Sequence, residues 1–533
     1  KNSTPLRFNM RFNGYFTGNS TTSDPDVSSL DFTKIRDNNF NLSVYGNWQL
    51  NKPYISSLNY NVSASYGKQT MREYLVTTQN PLATTNSKVD GITEGTFTQT
   101  LDQRDRRVDE IPIYFNAKLS GYLNKNIGKS LFRTTVGFEF NTKGNNGKGE
   151  YYTGAAPQFF RERPYSEIPF LSDLSVFAEE KITVPIMKTQ LELSAGVRMN
   201  KMMISGYNYD PIVDPRFNAK YTIIKQKRDG TLRNLSLRGG WGIMQRLPSI
   251  NHLYQADNYE DFVLFQYYNS TTSQRLAVIE TKVIDGKLPY NLKPEKTRNI
   301  EVGIDFDIKG IKGSLTYFND KLKDGITSNT EFISGTYNFY NSTSDVNAAP
   351  KFENGTVYVM SGGEYVPLGY TTLSKYSSYY RPDNRGYMRK WGIEYDFDFG
   401  KIKSLNTAIL LSGSYLRNIS SHTGYEYTVL NTTDPYNSKE SFPYVAVFGG
   451  EKSWSNGTGS DRLMSNLNIV TNIPSIRLVV SLTTQFIWME RSWNLIGDDL
   501  YTLDSNGQPV YGDYKNKKIT ATVYRNPVAY IDR

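Results

Sequence analysis

The side chains that most often do chemistry are scarce in this sequence. It has two histidines, His252 and His422, far apart and in no His-Glu-x-x-His or related metal spacing. It has no cysteine, which removes thiol nucleophiles, thiolate ligands and disulfides. Neither a Gly-x-Ser-x-Gly elbow nor a Walker-type phosphate loop occurs, and the acid pairs Glu179-Glu180 and Asp498-Asp499 read as solvated charges rather than catalytic dyads. Asp24, Asp26 and Asp31 do not have EF-hand spacing. The expectation is a chain that is not an enzyme, with no catalytic residue, no metal site and no cofactor. Aromatic side chains are what remains. Tyr254, Tyr259, Phe262, Phe265, Tyr267 and Tyr268 crowd one stretch, and Tyr365, Tyr370, Tyr376, Tyr379 and Tyr380 crowd another. Such rings stack on sugar rings, haem or ligand aromatics while their phenol tips stay wet, or they pack loops against one another; the two uses are compatible. The candidate ligand-binding residues are Tyr254, Tyr259, Phe262, Tyr267, Tyr268, Tyr376, Tyr379 and Tyr380.

The elements that must hold these rings are strands. Leu6, Phe8, Met10 and Phe12 alternate with Arg7, Asn9, Arg11 and Asn13, which puts apolar and polar side chains on opposite faces. The same alternation runs through Phe40–Leu50, Leu58–Tyr66 and Phe132–Phe140. It is cleaner in Ile300, Val302, Ile304, Phe306, Ile308 against Glu301, Gly303, Asp305, Asp307, and in Trp391, Ile393, Tyr395, Phe397, Phe399 against Gly392, Glu394, Asp396, Asp398. A helix would bring carboxylates onto the apolar stripe. About fifteen such strands are expected, most with the nine or more residues that cross a bilayer when tilted. Short links at 51–54, 124–128, 227–230, 309–310 and 472–475 alternate with long ones near 76–110, 143–171, 247–296, 327–383 and 422–460, with 207–212 as a shorter outer link. Short inner turns and long outer loops are the habit of outer-membrane barrels.

Composition agrees. Hydrophobic residues make up 38% of the 533, too few for a dry core of that size, yet aromatics reach 14%. Mean hydropathy is −0.54 and no apolar run is long enough for a membrane helix, which leaves strands as the way to cross. The net charge of +9 comes from basic residues interleaved with acids, not from a basic stripe, so a nucleic-acid partner is not expected. Trp48, Trp241, Trp391, Trp488 and Trp493 fall near strand ends, where interfacial girdles sit. The fold class is therefore all-β, a large antiparallel up-and-down transmembrane barrel, and residues 1–533 form a single domain of it. A passive porin and a secreted or surface all-β adhesin are the alternatives from other functional classes.

Four passages resemble TonB-dependent receptors: Pro215-Arg216-Phe217, Leu237-Arg238-Gly239-Gly240-Trp241-Gly242, Arg246-Leu247-Pro248-Ser249 leading to Leu253-Tyr254, and Leu292-Lys293-Pro294-Glu295-Lys296-Thr297 followed by Glu301-Val302-Gly303. Phe177-Ala178-Glu179-Glu180 is similar to the strand that precedes them in that family. The resemblance implies a 22-stranded barrel with an N-terminal plug, only part of which is present in this chain. The plug and the remaining strands are expected elsewhere in a longer protein. It further implies the cell outer membrane of a Gram-negative bacterium, energy from TonB acting through the plug, and uptake of a scarce large solute: an oligosaccharide, a peptide or an iron chelate. Glycan importers of this family work with a surface lipoprotein, and the Tyr-rich, His-poor loops lean toward a glycan or peptide.

Overall fold

The structure, a computed structural model, describes residues 5–22, 31–78, 80–154, 160–224, 231–288, 290–345, 347–429 and 457–495, with short strand segments elsewhere in 433–532. The link at 227–230, Asp24, Asp26, the Asp498-Asp499 pair and the side chain of Tyr376 lie outside the described residues.

The main sheet holds seventeen strand segments, of which 101–110 with 112–127, and 130–145 with 149–152, continue one another, so fifteen strands build the wall. In chain order they are β1 (Leu6–Thr22), β2 (Phe32–Lys52), β3 (Ile55–Thr78), β4 (Leu101–Glu110 with Pro112–Ile127) and β5 (Ser130–Asn145 with Gly149–Tyr152). There follow β6 (Leu171–Ile186), β7 (Thr189–Met203), β8 (Ile212–Ile224), β9 (Leu232–Arg246) and β10 (Glu295–Ile308). The last are β11 (Ile311–Tyr340), β12 (Tyr370–Ile402), β13 (Thr407–His422), β14 (Gly457–Ile473) and β15 (Leu478–Leu495). Each pairs antiparallel with the next. Register gives each row one face: Ile300 lies opposite Trp241 and Asn319, and Asp305 lies opposite Ser236 and Ser314. The apolar faces stay uncovered; Leu6, Phe8, Met10 and Phe12 are 58–65% exposed and Trp488 63%. A soluble monomer does not present an apolar belt of this extent, so lipid is its solvent.

The inner turns are tight. Lys309 and Gly310 both have positive φ, the requirement of a two-residue hairpin whose twist matches its strands, and Gly310 meets it without a Cβ. At the outer end the strands overshoot the membrane. β11 has 30 residues and β12 has 33, about 100 Å of chain each, so the expected loop at 327–383 is a paired ribbon up to Tyr340 and from Tyr370. The expected loop at 76–110 shortens in the same way, because β4 begins at Leu101 and pairs with Gln69–Thr78. Pairing continues because it satisfies main-chain groups on both strands.

Buried apolar side chains are concentrated in the outer loops. One cluster joins Phe262, Leu264, Phe265, Tyr267, Val278, Tyr340 and Val357. It packs the hairpin 258–268/275–284 against the outer end of β11 and the small sheet 351–367. A second joins Leu171, Met202, Ile204, Tyr209, Leu253, Leu288 and Leu292 at the mouth of the wall. At about 1.5–3 kcal/mol per buried large side chain, these clusters make the loops a folded cap.

Candidate functional site in the outer cap and lumen

The aromatic residues singled out by sequence divide by burial. Phe262 and Tyr267 are buried in the first cap cluster, with Phe265 beside them, and the Tyr267 hydroxyl donates to the Asp345 carbonyl at 2.9 Å. Tyr254 packs against the second cluster, edge-on to Tyr207, and its hydroxyl donates to the Ser205 carbonyl. The exposed rings are Tyr268, tilted against Phe97 at 5.5 Å, and Tyr380, 69% exposed. Tyr379 is half-buried beneath Arg381 and donates to Glu331 at 2.8 Å.

Tyr259 lies in a cleft of about 540 Å³ lined by Lys88, Phe160, Arg161, Glu167, Asp257 and Tyr259. Arg161 stacks over the Tyr259 ring at 4.6 Å and donates to both Asp261 oxygens at 2.8 and 2.9 Å. The Thr281 hydroxyl donates to the same carboxylate at 2.9 Å, which fixes the guanidinium plane and with it the ring. Burial raises the Tyr259 phenol, nearby Asp257 adds to the rise and Arg161 opposes it. Burial also raises Tyr254, so both phenols remain donors at neutral pH. The cleft offers an aromatic face with cationic and anionic neighbours, a surface suited to a polar, partly planar solute.

Below the cap, the inward faces carry a ladder of ion pairs. Arg198 and Lys118 meet Glu139 at 3.2 and 3.9 Å, Arg216 meets Glu179, Lys181 meets Glu192 at 3.1 Å, and Lys220 meets Asp305 at 3.0 Å. Arg238 is the hub: it bonds Asp305 and Ser314 at 3.2 Å each, and also Glu301 and Thr316. Its guanidinium lies over Gly303, its partner in register, where an added Cβ would stand 2.8 Å from the Arg238 Cζ. Two passages that resemble the receptors are thus opposite halves of one lumen contact. Two lumen clefts of about 530 Å³ flank the ladder, one lined by Glu192, Lys220, Asp305, Lys312 and Asp396, the other by Lys118, Phe177, Arg198, Asp214 and Arg216.

Phe177, noted in the sequence only as part of a receptor-like passage, is a lumen residue. It points inward, opposite Gly137 and Arg198, and lies under the cations of Lys118 and Arg198 at 5.5 and 5.9 Å. Its parity with Ser175 and Glu179 was the available signal. His252 is half-buried in the turn Ile250–Leu253, where its Nδ1 faces the Ser249 N–H at 3.4 Å.

The family model described as TonB dependent receptor-like, beta-barrel matches residues 1–517. No curated protein matches the chain. Among solved structures, the chain is similar to the outer membrane transporter YddB from Escherichia coli, at 11% identity over 99% of this chain and 59% of that one, with a TM-score of 0.47. It is also similar to the RagAB peptide importer in its closed-closed state, at 10% identity over 84% of this chain and 49% of that one, with a TM-score of 0.43. The siderophore receptor PirA from Pseudomonas aeruginosa is 15% identical over 91% of this chain and 81% of that one, with a TM-score of 0.34. The chain spans about half the length of the RagAB protein and 59% of YddB. By its family match, this chain belongs to the TonB-dependent receptor β-barrels of the Gram-negative outer membrane, a family of receptors and transporters rather than enzymes.

Proposed function

We propose that the complete protein imports a scarce large solute across the outer membrane, driven by TonB acting on a plug segment, with this chain supplying the wall and the outer cap. The observation that carries the reading is the cap: two buried clusters fold the outer loops, and Tyr259, Tyr268, Tyr379 and Tyr380 stand at or near the surface, above a lumen lined with paired charges. Tyr254 serves as a rigid neighbour, and Phe262 and Tyr267 support the cap from within. Tyr376 belongs to the same candidate set. An oligosaccharide or peptide suits stacking rings among donors and both signs of charge better than an apolar solute does. A surface lipoprotein covering the cap completes this reading.

A deletion strain carrying the full-length gene tests it, grown on single candidate oligosaccharides, peptides or iron chelates with and without TonB. Growth on one solute that needs both the gene and TonB is expected. Uptake that persists without TonB, together with steady conductance of the purified protein in planar bilayers, would mean a passive porin instead.

A further inference from the structure

The inner turns of the wall are basic. The six described ones span 51–54, 125–129, 187–188, 309–310, 401–406 and 474–477, and each holds at least one Lys or Arg. Together they hold eight of the chain's 61 cations and none of its 52 acids, so the rest of the chain, whose total is +9, is close to neutral. All eight are exposed, and none forms an ion pair with a described residue. The acids nearest this end, Asp307 and Asp398, belong to the lumen rows and accept from the Gly310 and Gly400 N–H groups at 2.9 and 2.8 Å. In the outer loops, by contrast, both signs mix, as in Arg161-Glu162-Arg163. A ring of one sign in a chain that otherwise balances its charges points to an anionic partner at the inner mouth.

Position and reach narrow the partner. Lys129, Lys188, Lys309, Lys403 and Arg477 lie between the last paired residues of their hairpins, at the innermost points of the wall. Lipid headgroups stand beside the wall, whereas these tips face the periplasm end-on. With strands about 4.8 Å apart, neighbouring inner turns are about 10 Å from each other, and the arc from the β2–β3 turn to the β14–β15 turn measures about 60 Å. The spacing is about one Debye length at about 0.1 M salt, so each turn is a separate weak contact, and only a partner with many anions over a wide area engages them together. Tyr54, Met187, Leu405 and Ile476 stand exposed among the cations, so the partner also meets apolar surface, which sugar-ring faces and methyl groups match.

We propose that the inner turns dock the protein on peptidoglycan, the carboxylate-bearing mesh of glycan strands and acidic stem peptides beneath the outer membrane, a contact independent of solute import. The test is co-sedimentation of the full-length protein, in neutral detergent at low salt, with purified sacculi freed of attached protein and with sacculi whose carboxylates have been amidated. Untreated sacculi are expected to retain wild-type protein at least about tenfold better than amidated ones. Lys129→Gln/Lys188→Gln/Lys309→Asn/Lys403→Gln/Arg477→Asn should lose that preference, with Asn used at the two positions where φ is positive. Arg275→Gln/Lys293→Gln/Lys296→Gln/Arg298→Gln/Lys323→Gln, an equal charge loss at the outer end, should keep it. Equal retention on the two kinds of sacculi overturns the proposal without any variant, as does a folded inner-turn variant with unchanged preference. Full release from untreated sacculi by phosphatidylglycerol added to the detergent would assign the ring to headgroups of the inner leaflet instead.

Discussion

At the scale of single residues, the imidazole of His252 couples the cap to pH. Burial lowers its pKa from the ordinary 6.5, Glu295 partly opposes this, and Arg246 lowers it further. The folded turn therefore binds fewer protons than the unfolded one, and stability from the neutral ring, full above about 6.5, is lost as pH falls through the lower folded value. Protonation also removes the Nδ1 acceptor that faces the Ser249 N–H. Amide exchange at 249–254, corrected for its intrinsic pH dependence, should accelerate below pH 6.5, and His252→Gln should abolish that response. Ring burial predicts a second contrast. Tyr259→Ala should weaken solute binding about 2- to 10-fold and leave the cap folded, because stacking contributes about 0.5–1.5 kcal/mol. Phe265→Ala, at a site 2% exposed, should cost the cap about 3–5 kcal/mol and show as protease cleavage within 258–284 while the wall stays intact.

At the scale of the element, Arg238 on β9 and Gly303 on β10 make one joint. Gly303→Ala should push the guanidinium off Asp305 and Ser314 and lower the unfolding midpoint in urea by the equivalent of about 1–3 kcal/mol. On an Arg238→Ala background the same substitution should cost much less, and equal costs on the two backgrounds would mean that the contact is not what Gly303 serves. Strand identity and face were legible in the sequence because lipid and water select opposite side chains at alternate positions, as in Ile300–Ile308 and Trp391–Phe399. The reach of β11 and β12 beyond residue 327 was not legible, since outside the bilayer both faces are wet and alternation loses its cause. Nor was the split between buried Phe262 and exposed Tyr268. They share one aromatic stretch, and their fates are set by Tyr340 and Val357, which are distant in sequence.

At the scale of the whole molecule, the wall has two open edges. Among the described residues, β1 pairs only with β2, and β15 only with β14. Every unpaired backbone group facing hydrocarbon costs several kcal/mol, so a stable barrel must cover both edges. The inner turns precede β3 and β15, so β15 runs outward, and β1 runs outward too, from an inner end where the Gln49 N–H donates to the Pro5 carbonyl. Antiparallel closure between two strands of the same direction takes an odd number of intervening strands, and we expect the same polypeptide to supply them, as seven would to reach 22. Edges covered by the same polypeptide should give an intact mass above 60.8 kDa, which intact-mass measurement of the protein isolated from outer membranes would read directly. A mass of 60.8 kDa in a detergent-solubilised, heat-modifiable barrel would instead require the edges to be covered by a second copy, and cross-links between β1 and β15 of different molecules would then replace those expected within one.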